Sequence, residues 1–237
     1  MKKQRLITLA STLIILVLAC ACPGTIIPSP TSAPPIIPPT SAPPIIPPPT
    51  TTLPSDILFS DDFSNPGSGW EVGEYEAGSV GYRDGYYFVT SSVKERTMWG
   101  VANRTFQDTI IEVDVTQAAG SANNNDYGVI CRLQPDRTDG YFLLISGDGF
   151  YSIQIARGED FQRLVEWTAS SAIKQGNTTN HIRATCNGSH LALEVNGEIL
   201  AETNDSTFAS GDIALQATTY EVKPTEIHFD NLVVRRP

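Results

Sequence analysis

Ser189-His-Leu-Ala-Leu-Glu-Val-Asn-Gly-Glu-Ile-Leu-Ala-Glu202, Asp205-Ser-Thr-Phe-Ala-Ser-Gly-Asp-Ile-Ala-Leu215 and Glu226-Ile-His-Phe-Asp-Asn-Leu-Val-Val234 fall in the last fifty residues of the chain. Each holds a short run with an apolar residue at every second position, the period of a strand buried on one face. The connections carry Asn187-Gly188, Asn196-Gly197 and Ser210-Gly211. Asn-Gly favours a tight hairpin because both residues tolerate positive φ. A two-residue turn at Asn187-Gly188 pairs Cys186 with Ser189, Ala184 with Leu191 and Ile182 with Leu193. Those residues then share one face, with Arg183, Thr185 and Ala192 on the other. The closing strand changes parity: Ile227 and Phe229 fall on one face, Leu232 and Val234 on the other, which implies a bulge near Asp230-Asn231.

Outward from this stretch the same period recurs as far back as Ile57. Strands are expected over Ile57–Phe63, Gly85–Thr90, Met98–Ala102, Thr109–Thr116, Tyr127–Leu133, Gly140–Ser146 and Phe150–Arg157. They continue over Arg163–Trp167, His181–Cys186, Leu191–Val195, Ile199–Glu202, Asp212–Ala217 and Glu226–Val234. A short helical turn is expected near Ser170–Ile173. Turn signals at Asn65-Pro-Gly, Asp84-Gly85, Asp139-Gly140 and Gly147-Asp-Gly149 complete the spacing of an all-β, two-sheet antiparallel sandwich over residues 56–237. Trp70 and the Tyr86-Tyr87-Phe88 run read as core.

The closing strands resemble those of the concanavalin A-like lectin/glucanase superfamily, whose sandwich is a jelly roll. The closest likeness is to its laminin-G-like and 3-keto-disaccharide-hydrolase-type domains. It extends through "LFSDDFSNPGSGW", "GVICRL" and "YFLLISGDGFYSI". The resemblance implies the fold; the superfamily holds lectins, glycosidases and structural modules, so it leaves the activity open.

Residues 1–19 have the layout of a secretory signal: Lys2, Lys3 and Arg5, then an apolar run from Leu6 to Ala19 too short for a typical span. Val17-Leu18-Ala19-Cys20 resembles a bacterial lipobox, which would make Cys20 the lipid-modified first residue and anchor the chain on the outer side of a membrane. Cys22 is the alternative lipidation site, and an ordinary cleaved signal is the alternative without lipid. Residues 20–55 are a different polymer, with Thr31-Ser-Ala-Pro-Pro-Ile-Ile-Pro-Pro repeated from Thr40. Proline at this density removes donors and fixes φ, so the segment reads as a polyproline II stalk rising about 3.1 Å per residue.

The formal net charge is −10, and loss of the signal would remove three further cations. Nucleic acid is thereby excluded as a partner, while a neutral polysaccharide is compatible. Cys131 and Cys186 remain in the domain, each at the parity of apolar neighbours. In an exported chain they invite a disulfide, two buried thiols being the alternative.

Glu112-Val-Asp-Val-Thr-Gln117 resembles the strand motif of the family 16 glucanases, but Thr116 or Gln117 stands where the second glutamate would be. Glycoside cleavage of that type needs two carboxyl groups, so Glu112 and Asp114 read as a solvated stripe and no catalytic residue is assigned. His181, His190 and His228 stand singly. No cofactor is required by this reading. The resemblance does imply a structural calcium where the first and last strands meet, held by backbone carbonyls and one aspartate, Asp230, with Asp61 and Asp62 beside it on the first strand; hard oxygens suit that ion. Asp230 holding the bend through backbone amides is the alternative. For a sugar, Arg132, Ser152 and Gln154 lie on outward parity. Trp99, Asn103, Tyr141 and Trp167 are nearby candidates. Three functions follow as expectations: a non-catalytic glycan-binding module, a structural or protein-interaction module, and a glycoside-active enzyme.

Overall fold

The computed structural model describes residues 56–120, 123–158 and 160–237. The signal-like run, Cys20, Cys22 and the proline-rich repeats lie outside the described residues. These residues form fifteen strands and no helix. In chain order they are β1 (Ile57–Asp61), β2 (Gly73–Tyr75), β3 (Gly78–Arg83), β4 (Tyr86–Ser91), β5 (Arg96–Val101), β6 (Thr109–Ala119), β7 (Asn125–Leu133) and β8 (Gly140–Ile145). Then follow β9 (Phe150–Arg157), β10 (Asp160–Ala169), β11 (Asn180–Asn187), β12 (His190–Val195), β13 (Glu198–Asn204), β14 (Asp212–Thr219) and β15 (Thr225–Arg235). Two antiparallel sheets form a jelly-roll sandwich. The larger runs β13-β12-β11-β6-β15-β4-β3-β2, with β1 also on β15; the smaller runs β10-β9-β8-β7-β14-β5.

Period-2 patterning puts the core between the sheets. Ile111, Val113 and Val115 of β6, Ile182 and Ala184 of β11 and Leu191 and Leu193 of β12 meet Tyr127 and Val129 of β7, Leu143 of β8 and Ile153 and Ile155 of β9. Each such valine, leucine or isoleucine contributes about 1.5–3 kcal/mol on burial, so a one-residue slip in any of these strands would forfeit several at once. The expected bulge is present. Asn231 sits at φ 53 and the β15–β6 register shifts between Asp230 and Val233. As a result Ile227, Phe229, Leu232 and Val234 all point inward. The bulge also divides the other edge of β15: β4 pairs up to Phe229 and β1 from Leu232 onward.

Three expectations are corrected. The β11–β12 hairpin pairs Asn187 with His190, Cys186 with Leu191 and Ala184 with Leu193, two residues on from the register read from Asn187-Gly188. The turn is Gly188-Ser189, with Gly188 supplying the positive φ at its first position. A two-residue shift preserves parity, so the faces are as expected though the partners are not. Ser170–Ile173 is a turn, not a helical one, and its Ile173 N–H donates to Ser170 O at 3.4 Å. β2 and β3 were not expected, because glycines at 73, 78 and 81 dilute their alternation; β3 forms on β4 through the Asp84-Gly85 turn.

Cys131 of β7 and Cys186 of β11 are disulfide-bonded, joining the two sheets. The next residue overturns its expected role. Arg132 takes φ 52, and only 2 % of its side chain is exposed. Its guanidinium donates to Gln107 O, Gly188 O, Phe208 O and the Asp108 carboxylate. Opposite parity here leads into three loops rather than into solvent, and they take four hydrogen bonds from the cation. Reducing the disulfide is expected to lower unfolding free energy by about 2–5 kcal/mol. Denaturant melts of the protein with and without reductant measure this; coincident curves would contradict it.

Candidate functional site

The six-stranded sheet is apolar on its outer face as well. Val101 of β5, Ala214 of β14, Ile130 and Leu133 of β7, Phe142 and Leu144 of β8 and Ala156 of β9 form a second buried cluster, with half-buried Trp99 and Trp167 packed against it. Phe161 of β10 stands edge-on to Phe142, ring centroids 5.2 Å apart. Over part of this face the floor turns polar. Strand pairing lines up Trp99, Gln216, Gly128, Leu144 and Ser152 across the sheet, and Thr97, Thr218 and Asp126 beside them. A cleft of about 260 Å³ opens there, lined among others by Asp126, Leu144, Gln154, Trp167, Gln216 and Tyr220.

Its polar groups are held in a network. Gln216 Nε2 donates to Asp126 Oδ1 at 3.0 Å, and Tyr220 Oη donates to Asp126 Oδ2. Thr218 Oγ1 lies 3.3 Å from Gln216 Oε1 and 2.9 Å from Thr97 Oγ1. Gln154 Nε2 donates to Ser152 Oγ at 3.2 Å, and Ser152 Oγ in turn to Val165 O. Asp126 is 3 % exposed. Burial pushes its carboxyl above the ordinary aspartate value, with the bonds from Tyr220, Gln216 and Thr218 opposing the shift without cancelling it. Burial, then the charge and the hydrogen bond of Asp126, raise the Tyr220 phenol.

Of the residues read from the sequence for a sugar, the structure brings Trp99, Ser152, Gln154 and Trp167 onto this one face. Ser152 is fully buried and positions Gln154 rather than facing the cleft. Three stand elsewhere. Arg132 is locked in its loops. Tyr141 lies in the core and donates its hydroxyl to Asp205 at 2.6 Å, because its parity is that of Leu143 and Ile145. Asn103 bonds Gly69 O from the connection after β5. Sequence reading missed Phe142, Phe161, Asp126, Gln216 and Tyr220. Gln216 alone carried a local signal, a polar residue on the parity opposite to Ile213, Leu215 and Ala217.

The glucanase-like stripe lies on the outer face of the other sheet. Glu112 pairs with Arg235 at 2.8 Å, and Asp114 is hydrogen-bonded to His181 and Asn231, so both are engaged with surface partners. His190 and His228 likewise face Glu202 and Glu226. At the β1–β15 junction the calcium set is not assembled. Asp61 accepts from Phe63 N–H and Ser68 Oγ, Asp62 from Ser64, and Asp230 from Asn231 N–H. Each carboxylate closes its own turn, and the described residues contain no group of three or more His, Cys, Asp or Glu that could hold a metal. The carboxylates alone therefore do not form the site that the resemblance implies, which also draws on backbone carbonyls. Another hollow, about 520 Å³ around Phe106, Asp108 and Arg236, has no paired aromatic walls.

Fold and face together define a sandwich of the concanavalin A-like class, with one sheet carrying an aromatic-flanked, partly polar cleft. Residues 59–235 match the 3-keto-alpha-glucoside-1,2-lyase-like domain, and the chain belongs to that family. No curated protein matches it in sequence. Among solved structures it is similar to the carbohydrate-binding module CBM66 from Bacillus subtilis, at 17% identity and TM-score 0.51, covering 71% of this chain and 96% of that one. A protein of unknown function with a galectin-like fold, also from Bacillus subtilis, gives 12% and 0.58 over 76% and 96%. The GlcNAcα1-4Gal-releasing endo-β-galactosidase from Clostridium perfringens gives 11% and 0.56 over 77% of this chain and 63% of that one. At these identities the likeness is one of fold.

Asp126 sets a pH test. With its folded pKa raised, the native chain holds a proton that the unfolded chain releases above about pH 4. Its contribution to stability therefore falls as pH rises from there toward the folded value. Asp126→Asn removes that dependence, so its melting temperature relative to wild type is expected to climb between pH 4 and neutrality. A difference that stays constant with pH would contradict the assignment.

Proposed function

We propose that the chain is an exported lipoprotein whose sandwich is a non-catalytic glycan-binding module held from a membrane by the proline-rich stalk. The observation supporting the binding part is the cleft itself. Trp167 offers a flat apolar face suited to the C–H face of a pyranose, Gln154, Asp126 and Thr218 line the cleft beside it as hydroxyl partners, and Trp99 stands farther along the same sheet face. Family membership and a carbohydrate-binding neighbour fit this reading. At about 260 Å³ the cleft is smaller than pockets that engulf a ligand, which fits shallow, weak recognition. Many anchored copies would offset that weakness by avidity.

One observation favours a second reading, glycoside cleavage. Asp126 is a buried carboxyl lining the cleft, and burial raises its pKa, the direction in which a proton donor is tuned. The family name points the same way. Against it, the cleft's second acid, Glu95, is an exposed residue ion-paired with Lys94.

In pull-downs against immobilised polysaccharides, Trp167→Ala and Gln154→Ala are expected to lose binding, about tenfold or more for the tryptophan. Product analysis should find no sugar released. Steady release of reducing sugar would establish the enzyme reading instead. The anchoring part has its own test: Cys20→Ser is expected to move the protein from the membrane fraction to the soluble one, and a variant that stays membrane-bound would refute lipidation there.

A further inference from the structure

A second hollow, of about 250 Å³, lies where the free edges of the two sheets come together. It is lined by Thr97, Met98 and Trp99 of edge strand β5, Tyr75 of edge strand β2, Glu71, and Arg137 from the β7–β8 connection. Its walls are largely the apolar surfaces of Tyr75, Trp99 and Met98. Its charged content is one fixed pair: the Glu71 carboxylate accepts from Arg137 at 2.7 Å and also from Tyr75 Oη at 2.6 Å.

The pair is held from behind. Glu71 N–H donates to Val101 O, and Glu71 O accepts from the buried Tyr87 hydroxyl. Tyr75 packs closely over Gly73. A Cβ at residue 73 would stand 2.6 Å from the Tyr75 hydroxyl, so a side chain there would push the ring away from its present place against Glu71. Tyr75 nevertheless remains 47 % exposed. An exposed aromatic ring, a half-buried tryptophan and a preset carboxylate–guanidinium pair thus face one small space.

Thr97 lines both this slot and the cleft on the sheet face, so the two hollows meet at β5. Building on the glycan-binding reading, we propose that the slot is a second saccharide subsite, which takes the end of a neutral oligosaccharide running off the sheet across its β5 edge. The Tyr75 and Trp99 faces suit the C–H surface of a sugar ring. Arg137 can donate to hydroxyls and Glu71 can accept from them. The ligand is neutral because Glu71 and Arg137 cancel each other's charge, and because a chain of net charge −10 repels polyanions. From β10 to β5 the face spans five strand spacings, about 24 Å. That width calls for an oligosaccharide rather than a single sugar.

The test measures affinity on an array of neutral glucose- and galactose-based disaccharides and hexasaccharides. Tyr75→Ala and Arg137→Ala are expected to weaken hexasaccharide binding about tenfold and leave disaccharide binding as in wild type. Trp167→Ala should weaken both. Tyr75 and Arg137 stand at an edge strand and an exposed connection, and thermal melts check that the variants remain folded. Tyr75→Phe, which keeps the ring, should retain more hexasaccharide affinity than Tyr75→Ala. If both alanine variants bind hexasaccharides as wild type does while Trp167→Ala is impaired, the subsite is refuted and the sheet-face site stands. If wild type binds nothing on the array, the glycan-binding reading fails and the subsite with it.

Discussion

One covalent bond and one buried cation hold the two sheets at a shared end. Cys131 ties β7 to Cys186 of β11 across the core, and Arg132 then gathers the loops around Gln107, Gly188 and Phe208. The second interaction depends on the first. A guanidinium out of water is tolerated only when its donors are matched, and matching them requires the strands on either side of the disulfide to stay in place. Asp108 extends the arrangement by also accepting from Gly188 N–H at 2.8 Å, so the hairpin turn of β11–β12 is fastened on both its polar groups.

With that end fixed, the six-stranded sheet can be buried on both faces. Its inner side chains enter the main core, and Ile130, Phe142, Leu144, Ala156 and Ala214 are covered on the outside by Trp99, Trp167 and Phe161. The cleft proposed to bind glycan is the boundary of this outer cluster, where apolar cover gives way to Gln154, Gln216, Thr218 and Asp126. Polar groups at such a boundary are costly unless bonded. Each of these four finds a partner, which presets the surface a ligand would meet. The slot at Tyr75 follows the same logic at the seam between sheets, with Glu71 held by backbone and Arg137 held by Glu71.

Parity was the most dependable information in the chain. It placed Cys131 and Cys186 toward the core, put Glu112 and Asp114 on a solvated face, and implied the bulge at Asp230-Asn231. Register was less legible. Asn187-Gly188 and Gly188-Ser189 turns give the same faces, and only backbone geometry at Gly188 separates them. β2 and β3 were hidden because glycine carries no alternation.

By itself, then, the sequence determined the all-β sandwich, most strand positions, the two cysteines' common direction and the residues that alternate with the core. Local steric and hydrophobic periodicity act over a few residues, so they can be read without knowing what lies beyond. Tertiary structure alone decided what opposite parity means at each place. At Trp167 and Gln154 it means a cleft, at Arg132 a closed ring of loop carbonyls, and at Ile130 and Phe142 a second apolar cluster. It also decided that Asp61, Asp62 and Asp230 close separate turns instead of meeting, and that Tyr75 and Arg137, 62 residues apart, bind one carboxylate. The physical reason is common to these cases. Alternation says which residues share a side of a strand, while burial, charge and access on that side depend on segments distant in sequence that fold over it.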